Sequence, residues 1–99
     1  MIDILRIDEN GRTEAEFSDP EALHELLASR PAAHGSCLRF IDPHGDTTFN
    51  HLQLPVLAAE LRAAGAPAPP PLRRRVEALA TFVESAAAVV YTYVKFVGD

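Results

Sequence analysis

The chain has 99 residues, of which 47 are hydrophobic and sixteen of those are alanine. The 31 larger apolar side chains suffice for one modest core and not for two, so a single domain over residues 1–99 is expected. Charged residues make up 23% and mean hydropathy is zero, which argues against a disordered chain, while five Gly and one Cys exclude a collagen-like chain and a disulfide-framed miniprotein.

The charge is uneven. Residues 1–50 hold four Arg against ten acids, a net of −6, and residues 51–99 carry a net of +1. An acidic chain repels phosphate backbones, so nucleic-acid binding is not expected. Cys37 is the only cysteine, which forbids an internal disulfide and fits a reducing cytoplasm. Residues 1–6 lack the basic and apolar regions of a signal peptide, and no apolar run approaches a membrane span. Eight Arg against one Lys, with sixteen Ala and eight Pro, point to GC-rich coding and a bacterial source.

Residues 2–8 are rich in β-branched side chains and predict a strand. Asn10-Gly11 follows as a hairpin turn, on the premise that both residues tolerate positive φ. Residues 12–17 alternate, with Thr13, Ala15 and Phe17 on the buried side. Ser18 and Glu21 have capping-box spacing, and Pro20 suits the first turn of a helix with Leu23, Leu26 and Leu27 as its stripe. Arg30-Pro31 ends that helix, and residues 31–36 form a loop. Residues 37–41 predict a strand with Leu38 and Phe40 on one face. Asp42-Pro43-His44-Gly45 fits a type I turn, and residues 46–50 return, which makes residues 37–50 a second hairpin.

Pro55 opens a second helix with Val56, Leu57, Leu61 and Ala64 as its buried stripe and Gly65 as its C′ residue. Residues 66–71 read as a stiff extended connector. Leu72, Val76, Leu79, Val83, Ala86 and Val90 then form the seam of a third helix. Near residue 88 the period changes to two. Val90, Thr92, Val94 and Phe96 alternate with Tyr91, Tyr93, Lys95 and Val97, a strand placed inside the sheet or under a partner. The expected fold class is α+β: a mainly antiparallel sheet of about five strands with three helices on one face, in the order ββαββααβ.

Few groupings point to chemistry. His24, His34, His44 and His51 lie within 28 residues, together with Cys37, Asp42 and Asp46. His34 and Cys37 have H-x-x-C spacing, but zinc needs three or four converging ligands, and no second C-x-x-C and no H-E-x-x-H is present. Cys37 paired with His34 or His44 would be a nucleophile only if a base or a helix N-terminus lowered its pKa. Asp42, His44 and Asp46 form a loop site for a hard cation or a recognition contact, although turn chemistry alone accounts for them. Arg73, Arg74 and Arg75 stand in the first turns of a helix, where the macrodipole disfavours cations. They either pair with acids of the N-terminal half or form a basic partner-binding patch. Tyr91 and Tyr93 add a second apolar face to the last strand, which a second chain would cover.

No set of acid, base, nucleophile or ligands converges. The reading is therefore a small non-catalytic interaction domain or accessory subunit. It takes no cofactor and no metal, associates with itself or a protein partner, and has Arg73, Arg74, Arg75, Tyr91 and Tyr93 as contact residues. The competing reading is a small metal-binding or hydrolytic protein using the His and Asp residues of segment 34–51.

Overall fold

The structure, a computed structural model, describes residues 2–29 and 35–98. Four strands, β1 (Asp3–Ile7), β2 (Thr13–Glu16), β3 (Asp46–Phe49) and β4 (Tyr93–Val97), form one antiparallel sheet in the order β2-β1-β4-β3. Three helices, α1 (Glu21–Ser29), α2 (Leu54–Gly65) and α3 (Pro70–Ala87), complete the α+β fold. The order is ββαβααβ with one 3-10 turn, Leu38–Phe40, between α1 and β3.

β4 alternates buried with half-buried side chains, β1 and β3 add buried residues beside it, and β2 is mostly exposed, including Thr13, which was expected on the buried side. Ile4 lies opposite Phe96, and Phe49 lies opposite Val94; all four are buried. Phe49 and Phe96 meet edge to face at 5.8 Å. Leu23 and Leu26 of α1, Leu57 and Leu61 of α2, and Val76, Leu79 and Val83 of α3 join them in one cluster. The opposite sheet face carries Leu5, Tyr93, Lys95 and Val97, each half-buried. β4 lies between β1 and β3, so the last strand is inside the sheet.

The first hairpin is present, but its turn differs in kind. Only Gly11 has a positive φ, +82°; Asn10 does not. The Gly11 N–H donates to the Asp8 carbonyl at 3.0 Å, and the Asp8 carboxylate accepts the N–H groups of Asn10 and Arg12. This is a type I turn closed by a left-handed glycine, not a two-residue primed turn.

Four further expectations are corrected. Residues 37–41 are not a strand, so the sheet has four strands, not about five, and β3 pairs with β4 instead of closing a second hairpin. Gly65 is the last residue of α2, not a left-handed cap. A Cβ there would lie 2.8 Å from Val76 Cγ1, so its lack of a side chain lets α2 and α3 approach. The linker is a turn over residues 66–68, with α3 starting at Pro70 inside the proline run. Val56 and Val90, assigned to buried stripes, are exposed. Leu54 and Ala58 take the buried positions on α2, and α3 ends at Ala87, three residues before Val90.

Candidate functional site

The candidate loop site, Asp42, His44 and Asp46, is an exposed turn held by hydrogen bonds and an ion pair within the chain. Asp42 Oδ1 accepts the His44 N–H at 2.8 Å, and the Asp42 carbonyl accepts the Gly45 N–H at 3.3 Å. The Asp42 N–H donates to Thr47 Oγ1, and that hydroxyl donates to the Phe40 carbonyl, each at 3.2 Å. Asp46 pairs with Lys95 at 3.5 Å. Among the described residues no three His, Cys, Asp or Glu side chains gather to hold a metal ion. His34 lies outside the described residues.

The residue that organises the preceding segment is Glu60, which sequence reasoning did not single out. It stands on α2 and reaches back to the 3-10 turn. Its Oε2 accepts the Ser36 N–H at 2.8 Å, and its Oε1 accepts those of Cys37 at 3.0 Å and Leu38 at 2.8 Å. Gly35, at φ +67°, makes this possible: a Cβ there would collide with the Glu60 carboxylate. Burial pushes the Glu60 carboxyl up, but the N–H groups of Leu38, Ser36 and Cys37 outweigh it and hold the group below the usual glutamate range. An extended strand would separate these three N–H groups, whereas a 3-10 turn points them at one carboxylate. No local pattern signals a carboxylate 22 to 24 positions away.

Cys37 sits beside that contact. Its thiol is buried and faces the Gln53 carbonyl at 3.8 Å. Burial, then the Glu60 charge, raise its pKa, which disfavours the thiolate that a nucleophile or metal ligand requires.

The arginine cluster divides. Arg75 donates to both Asp19 oxygens, at 2.7 and 2.9 Å, and also reaches Glu25. That guanidinium holds the Asp19 carboxyl below its ordinary range. Arg75 therefore ties the start of α1 to α3. Arg73 and Arg74 are exposed, and no ion pair joins them to another described residue. Arg62 serves α2 and α3 in the same way as Arg75, bridging Glu77 and Glu84 at 2.9 Å each.

The two tyrosines also divide. Tyr93 is in β4 on the open sheet face, half-buried. Tyr91 is in the turn between α3 and β4. It is 61% exposed and holds φ +66°, the one positive φ of a non-glycine among the described residues. Val89 and Val90 beside it are more than half exposed. Phe49 pairs with Val94, so the chain leaving β3 and the chain approaching β4 share one end of the sheet. Leu52, 74% exposed, lies on the first of these and Tyr91 on the second. The fold thus gathers exposed apolar residues from two turns at this end. Arg73 and Arg74 stand near the opposite end of α3, about 20 Å away at the helical rise per residue. The five expected contact residues therefore do not form one patch. The signal for the Tyr91 end lies in the apolar run Val89-Val90-Tyr91, in which Val90 also fits the helix seam and Val90-Tyr91 the strand alternation.

Compared with protein-family models, with curated proteins and with solved structures, the chain shows no match.

Proposed function

We propose that the chain is a small non-catalytic interaction domain or accessory subunit whose protein partner docks on the end formed by Val89, Val90, Tyr91 and Leu52. The observation that carries this reading is Tyr91. A bulky residue in the left-handed region costs about 1 kcal/mol relative to glycine. Burial does not offset that cost, since the ring is mostly in water. Tyrosine is enriched among interface hot spots, and the exposed Val89 and Val90 precede Tyr91 directly in the chain. Arg73 and Arg74 supply a second, polar contact at the far end of α3 for an acidic part of the same partner.

The test compares wild type with Tyr91→Gly as bait in an extract of the native host. The reading predicts a prey retained stoichiometrically by the wild type and lost by the variant, with both baits equally folded. A prey profile unchanged by Tyr91→Gly contradicts it.

A further inference from the structure

The two edges of the sheet are built differently. At β2 the register jumps: Arg6 pairs with Ala15 and Ile7 with Thr13, which leaves Glu14 as a bulge. Glu14 and Glu16 are both exposed there. Bulges and charges are the devices that stop an edge strand from pairing with another chain. β3 has no bulge, and its register against β4 is continuous over four residues. The Gly98 N–H donates to the Gly45 carbonyl at 2.8 Å, which sets the antiparallel alternation. Thr47 and Phe49 then turn their main chains toward β4, and Asp46 and Thr48 turn theirs outward. No described residue bonds to those outward groups.

Exposed apolar side chains flank this edge. Phe40 is tied to β3 through its carbonyl and Thr47, Leu52 follows β3 by three positions, and Val56 stands in the first turn of α2, four positions after Leu52. The Arg39 guanidinium lies 4.7 Å over the Phe40 ring. The charges near the edge balance: Arg39 and Lys95 against Asp42 and Asp46. A chain with a net charge of −5 therefore presents, at this edge, a surface that does not repel its own copy.

We propose that β3 is a dimerisation edge, pairing antiparallel with β3 of a second copy about a two-fold axis through Thr47 and extending the four-stranded sheet to eight strands. This register places Asp46 of each copy opposite Thr48 of the other, so that the outward N–H and C=O groups of both residues are satisfied and no like charges meet. A two-fold pairing is also the commonest symmetry of soluble assemblies. The proposal goes beyond the Tyr91 reading: it rests on the main chain of the β3 edge, and Leu52 is the one named side chain that it shares with the Tyr91 end.

The experiment is sedimentation velocity of the full chain from low to high micromolar concentration. Wild type should sediment as a dimer at the upper end. Thr48→Glu sets a carboxylate beside Lys95 within the monomer but opposite Asp46 across the dimer, so it should fold normally and weaken the dimer about tenfold or more. Asp46→Lys combined with Thr48→Glu replaces that repulsion by two opposite-charge pairs and should restore the dimer. Tyr91→Gly should leave the dimer intact even where it abolishes partner capture. The proposal is overturned by a wild type that stays monomeric at high micromolar concentration. It is equally overturned by a folded Thr48→Glu variant that dimerises as well as wild type, or by a folded double variant that does not recover.

Discussion

The segment held by Glu60 and the turn that carries Tyr91 each contain a residue at positive φ, and they differ in what surrounds it. Gly35 has no side chain to strain, and its conformation frees the space in which the Glu60 carboxylate meets three backbone N–H groups. Every unusual feature there is compensated within the fold. At Tyr91 the unusual backbone belongs to a large aromatic, and the side chain points mostly into water. The contrast separates a residue shaped by folding from one whose cost the fold does not offset. Mutations at the first should destabilise, and mutations at the second should not.

The largest effect is expected at the first region. Glu60→Ala removes the acceptor for three N–H groups that water reaches only in part, and should lower stability by about 2 kcal/mol, read as a lower urea midpoint. Gly35→Ala should mimic it, because the new Cβ displaces the same carboxylate and meets a backbone that resists it. An unchanged midpoint in both variants would show that the segment is held by something other than Glu60.

Acid should reveal the same contact. The folded pKa values of Glu60 and Asp19 are both depressed. Their contribution is complete above the ordinary carboxylate range, near pH 4, and is lost as the pH falls through the lower folded values. Glu60→Gln should flatten the loss of stability below about pH 4, and a curve parallel to wild type would show that Glu60 titrates normally.

The arginines give a smaller contrast. Arg75→Gln should lower the urea midpoint by less than Glu60→Ala, since its pair with Asp19 and Glu25 is partly exposed. Arg73→Gln with Arg74→Gln should change stability by only about 0.6 kcal/mol, in the favourable direction, because both cations leave the positive end of the α3 dipole. A large loss in the double variant would assign them to internal pairing.

The sequence was legible where the structure depends on neighbours along the chain. The strand at the N-terminus, the position though not the type of the Asp8–Arg12 turn, the Leu23–Leu26 stripe of α1 and the Val76–Ala86 seam of α3 all follow from local spacing. Residues 37–41 failed because Leu38 and Phe40 alternate as a strand would, while the decisive partner lies on α2. The change of period near residue 88 agrees with the end of α3 at Ala87, but Val90, which continues the heptad spacing by coincidence, and Tyr91 lie in a turn, and β4 starts only at Tyr93. The turn at Asp42–Gly45 is legible because its hydrogen bonds are local, from the His44 and Gly45 N–H groups to Asp42. The split of Arg75 from Arg73 and Arg74 was not legible, since it depends on which face of α3 packs against α1.

The most direct test of the contrast is the urea denaturation of Tyr91→Gly beside wild type. Glycine adopts φ +66° without strain but adds entropy to the unfolded chain, and the two terms leave a gain of about 0.5 kcal/mol. The account predicts a raised midpoint with an unchanged slope, so that the variant is more stable while its partner contact is lost. A lowered midpoint would contradict it, because Tyr91 would then be held in place by the fold itself.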